Sequence, residues 1–269
     1  MADPIISVEG LTVEYERKRV LNSVSLDIRG GEVMVLVGGS GSGKTTLLRH
    51  IIGLERPTAG AVRIKGIDIN GCSKEELRTI RRSMGVAFQE CALFNSMSVE
   101  ENVALPLHEL TDLSDSVIEI MTYMKLAAVG LGETGNLMPP ELSGGMKKRA
   151  AVARATALDP ELLLFDEPSA GLDPIVAAGL DELILFLKQA FQMTIVVVSH
   201  EMASAFRIAD RIAMLDRGTL IAVDSKDAFR TNTNPRIRQF LDRVADPIIE
   251  SAAVQNHVRE LAGLMGAAR

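Results

Sequence analysis

Residues 38 to 45 read Gly38-Gly39-Ser40-Gly41-Ser42-Gly43-Lys44-Thr45. Those residue types at that spacing are suited to holding phosphate. Glycines let the backbone wrap so that several N–H groups point inward at phosphate oxygens. Lys44 supplies a positive charge for the β- and γ-phosphates of a nucleotide. The Thr45 hydroxyl is placed to ligate Mg²⁺, and Thr46 follows on the helix. The apolar run VMVLV (33–37) leads into the loop and LLRHIIGL follows it. The loop therefore joins a strand to a helix whose N-terminus adds partial positive charge.

A complementary pair of carboxylates lies far along the chain. The run ELLLF (161–165) ends in Asp166 and Glu167. Asp166 at a strand tip can hold Mg²⁺ through water, and Glu167 can accept a proton from water attacking a γ-phosphate. Together with the glycine loop they make a phosphoryl-transfer site. A second glycine turn, Leu142-Ser143-Gly144-Gly145, opens a helix rich in alanine and basic residues. By residue chemistry alone it is a helix N-cap, but a glycine turn at a helix start is also a phosphate cradle.

The elements that must position these groups follow from hydrophobic pattern. SMGVAF (83–88), TIVVVS (194–199) and RIAML (211–215) read as further short buried strands. Helical patterns such as PIVAAGLDELILFLKQAF (174–191) lie between them. Buried strands alternating with helices predict an α/β fold with a parallel core, and the resemblance given below implies the P-loop NTPase (RecA-like) form of it. ISVEGLTVEY and VLNSVSLDI alternate apolar and polar positions, predicting an N-terminal antiparallel β subdomain. Residues from about 95 to 155 carry no strand pattern. They read as an inserted α-helical subdomain, punctuated at LPL, GLGETG and MPPEL. The expected division is a nucleotide-binding domain over 1–225 and a polar, helical C-terminal extension over 226–269.

Composition bounds the partners. Against 29 Lys and Arg stand 35 Asp and Glu, a net charge of -6. That balance gives no general attraction to nucleic acid or anionic lipid. Cys72 and Cys91 have no metal-ligand spacing and form no disulfide framework, which fits a reducing compartment, and both read as small buried hydrophobes. The N-terminus has no signal-peptide pattern. No run approaches the ~20 apolar residues of a membrane span, so a soluble chain is expected, reaching any membrane through a partner.

Taken in order, these motifs identify the sequence as similar to the ATP-binding subunits of ABC transporters, over residues 5 to about 225. Tyr15 matches the aromatic residue that stacks on adenine. Gln89, in VAFQE, matches the Q-loop glutamine, with a part in catalysis and in metal binding beside Thr45 and Asp166. LSGGM (142–146) matches the signature motif, Asp173 in SAGLDP the D-loop, and His200 in VVVSH the switch histidine. The family implies an answer for the second cradle. Two subunits pack head to tail, and Ser143, Gly144, Gly145 and Asp173 of one close over ATP held by the other. ATP binding closes the dimer, hydrolysis by Glu167 with His200 and Gln89 reopens it, and the motion drives a membrane partner. Met146 stands where the family usually has Gln, while the groups that would contact phosphate are intact.

A narrower resemblance is to the ATPases of Mla-type, MCE-associated phospholipid transporters. FQECALFNSMSVEENVALPL (88–107), the stretch ELSGGMKKRAAVARATALDPELLLFDEP and NPRIRQFLDRVADP (234–247) carry it. It implies a polytopic permease (MlaE-like), an MCE-domain protein (MlaD-like) and a small STAS-domain protein (MlaB-like) on the helical lobe. It implies a place at the cytoplasmic face of a bacterial inner membrane, held peripherally through the permease. The alternatives are the ATPase of another ABC importer or exporter, and a soluble ABC protein without a transport role. The lack of a basic surplus argues against the latter acting on nucleic acid. The amphipathic IRQFLDRV within the tail is expected to latch onto the other subunit of the dimer.

Overall fold

A computed structural model describes residues 4–16 and 18–244. The elements, in chain order, are β1 (Ile6–Tyr15), β2 (Lys18–Ile28), β3 (Val33–Val37), α1 (Lys44–Ile51), β4 (Ala59–Ile64), β5 (Ile67–Asp68), α2 (Lys74–Arg82), β6 (Met84–Ala87), α3 (Val99–Leu110), α4 (Asp115–Ala128), α5 (Gly144–Ala155), β7 (Leu162–Asp166), α6 (Pro174–Phe191), β8 (Thr194–Val198), α7 (Met202–Ile208), β9 (Arg211–Asp216), β10 (Thr219–Ser225), α8 (Lys226–Arg230) and α9 (Pro235–Leu241). The chain divides into two compact units, Met1–Thr231 and Asn232–Arg269.

Two sheets build the first unit. One has six strands in the order β10-β9-β3-β8-β7-β6, all parallel except β10, which pairs antiparallel with β9. Strands β3, β7 and β8 are buried along their whole lengths, as continuous apolar runs require when both faces are covered. The second sheet is antiparallel, β2-β1-β4-β5. Its strands alternate buried and exposed positions, as a sheet with one wet face does. Ile6, Val8, Leu11 and Leu26 of this sheet join Met34, Leu36, Leu47, Leu164 and Val196 in one core.

The parallel order has a direct consequence for function. Crossovers put the C-terminal ends of β3, β8, β7 and β6 side by side at one edge of the sheet. The segments that leave there begin at residues 38, 199, 167 and 88. Groups spread over most of the chain converge where parallel sheets bind ligands.

Helices α3, α4 and α5 pack on one another, and α5 also lies on β6. A Cβ on Gly85 of β6 would come within 2.1 Å of the Ala155 carbonyl oxygen, so α5 sits directly against the strand. Ser73 and Ser98 open α2 and α3 with capping boxes closed by Glu76 and Glu101. The expected punctuation at LPL does not interrupt a helix. Pro106 lies inside α3, at the cost of the bond its missing N–H would have made to the Asn102 carbonyl, and packing against α4 and α5 holds the helix through it. Strands β4, β5 and β10 were not anticipated from the pattern. Cys91 is buried as expected, whereas Cys72 is only half-buried.

In the second unit, Asn234 caps α9 through the Arg236 N–H, and Arg238 pairs with Asp242 at 2.9 Å. Most of the expected C-terminal extension, residues 245–269, lies outside the described residues.

No helix among the described residues is long and apolar enough to cross a membrane.

Candidate functional site

The first cradle begins where β3 stops. At Gly43 the backbone takes φ +102°, and a Cβ there would come within 2.5 Å of Leu21 Cδ2. A side chain is excluded both by conformation and by space. The turn releases α1, whose first residue is Lys44. Lys44 is 7% exposed, and its Nζ donates to the carbonyls of Gly38 at 2.9 Å and Gly39 at 3.1 Å. Burial pulls its pKa down, opposed by the nearby carboxylates of Glu167 and Asp166. The Ser42 hydroxyl is also buried and has no hydrogen-bond partner. An ammonium and an unpartnered hydroxyl under a glycine loop fit a phosphate group. Ser40 and Gly41 lie exposed at the tip of the loop, and Thr46 is half-buried on α1.

The end of β7 supplies the acids. Thr45 Oγ1 donates to Asp166 Oδ1 at 3.1 Å across 121 residues of sequence. Asp166 is 8% exposed. Two hard oxygen donors this close fit Mg²⁺, which favours one or two protein oxygens beside substrate phosphates. Glu167 follows with φ +48°, an unusual conformation for a residue with a side chain and one concentrated at functional sites. Its N–H donates to the Val198 carbonyl at 2.9 Å, which ties the segment after β7 to the end of β8. Two residues beyond β8, His200 Nδ1 lies 2.7 Å from Glu167 Oε2. The ring is largely exposed and the carboxylate is 13% exposed. A carboxylate held by an imidazole at the mouth of a phosphate cradle has the chemistry to accept a proton from water.

Gln89 sits just past β6 with its side chain exposed. Its backbone carbonyl accepts from Lys148 Nζ at 2.6 Å. The same ammonium reaches the Glu167 carbonyl at 3.3 Å. The sequence singled out neither Lys148 nor this link. Its only available signal is a lysine on an alanine-rich helix, and such a lysine is ordinarily solvated. Tyr15, at the end of β1, is 44% exposed. Its hydroxyl donates to Glu55, whose other oxygen holds Arg49 of α1 at 3.4 Å. The ring is thus tied to the helix that springs from the cradle.

The second cradle stands apart in its bonding. Ser143 is exposed, and its hydroxyl accepts from the Met146 N–H at 3.3 Å, capping α5. Asp173 caps α6 in the same way, accepting from the N–H groups of Ile175 at 3.0 Å and Val176 at 3.1 Å. The two helix starts touch. A Cβ on Gly145 would come within 2.5 Å of Val176 Cγ1, and one on Gly144 within 3.6 Å of Leu172 Cδ2. The fold therefore gathers the sequence-predicted residues into two groups: Gly38 to Thr46 with Asp166, Glu167 and His200, and Ser143 to Gly145 with Asp173.

The fold and the first group define a P-loop nucleoside triphosphatase, with the glycine loop after β3 and the acids at the tip of a neighbouring parallel strand. The chain belongs to the ABC transporter family, whose profile matches residues 21–170, and it is an ATP-binding, ATP-hydrolysing cassette. It is 44% identical over 237 residues to a protein of Mycobacterium leprae named probable ribonucleotide transport ATP-binding protein mkl, covering 88% of this chain and 68% of that one. It is also 44% identical over 242 residues to the Escherichia coli intermembrane phospholipid transport system ATP-binding protein MlaF, covering 90% of both. Among solved structures, the dimeric post-hydrolysis state of the ATP-binding cassette MJ0796, bound to ADP and Pi, matches with a TM-score of 0.75 at 32% identity. That match covers 82% of this chain and 98% of the other.

Proposed function

We propose that this chain is the ATP-hydrolysing subunit of a Mla-type transporter that moves phospholipid between membranes. The observation that carries the substrate class is its likeness to the Escherichia coli phospholipid-transport protein over nine tenths of both chains. The equally identical mycobacterial protein, named for ribonucleotide transport, is covered over only about two thirds of its length. That match is the basis of a second reading, ribonucleotide transport by a related complex.

In the proposed mechanism Gly38 to Thr46 bind ATP phosphate, Lys44 neutralises it, and Tyr15 stacks on the base. Thr45, Asp166 and Gln89 would hold Mg²⁺. The ion supplies charge neutralisation on the β- and γ-phosphate oxygens when bound. Glu167, oriented by His200 and by its fixed backbone, accepts the proton of the attacking water. Ser143, Gly144, Gly145 and Asp173 face the nucleotide of a second copy in a head-to-tail dimer. Support for the dimer comes from the dimeric MJ0796 cassette and from the way the second cradle's polar atoms serve their own helices at an exposed edge.

The helical lobe carries a groove of about 880 Å³ between α3 and α4, with an apolar floor that includes Leu105, Ile118 and Leu126 and with acids such as Glu100, Glu119 and Glu133 in its lining. The exposed Phe94 belongs to the segment that leads into α3. An apolar groove with acids in its lining suits an amphipathic cytoplasmic helix of a permease with basic flanks. The further proposed partners are an MCE-domain protein and a STAS-domain protein. The chain is placed peripherally at the cytoplasmic face of the inner membrane.

The test is to purify the tagged chain from mildly solubilised native membranes and identify co-purifying proteins and lipids by mass spectrometry. A permease with an MCE protein and bound phospholipid is expected. A permease with bound ribonucleotide would support the second reading. Recovery of no membrane protein would overturn both.

A further inference from the structure

Three residues near the site hold left-handed backbone without being glycine: Cys91 at φ +61°, Ala92 at +50° and Glu167 at +48°. Their carbonyls share a feature. Arg154 donates through one guanidinium nitrogen to the Ala92 oxygen at 2.7 Å and through the other to the Cys91 oxygen at 2.9 Å. Lys148 donates to the Glu167 oxygen at 3.3 Å and to the Gln89 oxygen at 2.6 Å. Both cations lie on α5, the helix opened by Ser143. Lys148 is 9% exposed. Such side chains are rarely buried unless every donor has work, and here the partners are main-chain oxygens in segments 59 and 19 residues away.

We infer that Lys148 is a positioning residue for hydrolysis, its ammonium locking the Gln89 segment and the Glu167 segment to the helix that begins at Ser143. Arg154 fixes the turn at Cys91 and Ala92 immediately behind Gln89. Charge-assisted bonds to carbonyls are shorter and stronger than neutral ones, so they hold strained backbone that would otherwise relax. The signature helix, the glutamine segment and the catalytic-carboxylate segment are thereby bonded to one another. A contact made by a second subunit at Ser143 is transmitted to Gln89 and Glu167 through two hydrogen bonds on a single nitrogen. Lys148 acts through main-chain carbonyls, those of Gln89 and Glu167, and supplies no reacting group. The inference rests on the roles of Glu167 and Gln89 proposed above.

The test uses the full chain in its membrane complex, measuring kcat and ATP affinity for wild type, Lys148→Met, Gln89→Ala and the double variant. Lys148→Met keeps the stem and removes the donors. Its kcat is expected to fall ~10- to 100-fold, the scale on which small misplacements act. ATP affinity should stay within ~3-fold, because Lys44 and Thr45 are untouched. The double variant should lose little beyond the worse single one, since residues acting through one another are not additive. Near-normal kcat in Lys148→Met, losses that multiply in the double variant, or affinity falling in step with kcat would each overturn the inference. Should Lys148→Met fail to fold by circular dichroism, Lys148→Gln is judged by the same criteria. Gln89→Ala and Glu167→Gln serve as controls. If both keep turnover, the site assignment has failed; if both lose it while Lys148→Met does not, only the lysine's role has.

Discussion

The two phosphate cradles of this chain are built on opposite plans. In the first, polar groups converge from the ends of β3, β7 and β8, and they bond to one another: Thr45 with Asp166, Lys44 with its own loop, Glu167 with His200. Lys44, Asp166 and the Glu167 carboxylate are buried or nearly so, while the His200 ring stands largely exposed. In the second, the polar groups come from two adjacent helix starts. Ser143 and Asp173 are spent on capping α5 and α6, at an exposed edge. The first is preorganised to bind and react within one chain. The second is a stiff, shape-defined edge whose chemistry requires something brought to it. On the proposed reading, the difference separates residues that govern affinity and chemistry in the single chain from those that govern assembly.

The sharpest way to break this contrast is Glu167→Gln. Turnover should fall at least ~100-fold, the usual scale for a positioned base, with ATP binding retained. Steady-state ATPase and equilibrium binding assays decide it, and near-normal turnover would remove Glu167 from the base's role. Next in size, Lys44→Ala should weaken ATP binding ~10- to 100-fold, as loss of hydrogen bonds to a charged group does. Affinity unchanged by titration calorimetry would mean the first cradle is elsewhere. Burial lowers the pKa of Lys44, so the sign with pH is set. The cation is lost as pH rises, and ATP affinity should decline on the alkaline side earlier than an ordinary lysine would dictate.

The second cradle should respond differently. In Gly145→Ala the new methyl meets Val176 2.5 Å away, forcing α5 and α6 apart. Turnover is expected to fall ~10-fold through misplacement while the single chain's ATP affinity holds. Parallel losses in both would erase the distinction between the cradles. On the stability of the single chain the smallest effect is that of Ser143→Ala, which deletes an N-cap worth about 1 kcal/mol. Thermal unfolding should shift down by ~2–4 °C, the response of a protein of this size, and no shift would mean the cap is made by other means.

The continuous apolar runs were legible because a strand buried on both faces has no polar position to spare. VMVLV, ELLLF and TIVVVS all became strands of the parallel sheet, and PIVAAGLDELILFLKQAF became α6. The hairpin of β4 and β5 escaped notice although Val62 and Ile64 alternate with polar neighbours before a turn at Lys65 and Gly66. Strand β10 is half-buried at nearly every position, an edge strand whose period is blurred because neither face is fully covered. Pro106 misled because local preference argues against a helix, whereas packing from two neighbouring helices overrides it.

By itself the sequence determined what depends on neighbours along the chain. The glycine loop, its lysine and threonine, the acid pair after a strand and the capping serines each work within a few residues, so composition and order carry them. Only the tertiary structure decided which of these meet. The parallel sheet order brings Thr45 to Asp166 and Glu167 to His200, and it leaves Ser143 and Asp173 together at a different edge. It also buries Lys148 between two segments far from it in sequence. A lysine's burial is set by what packs around it. That depends on how α5 lies on β6, which no local pattern encodes.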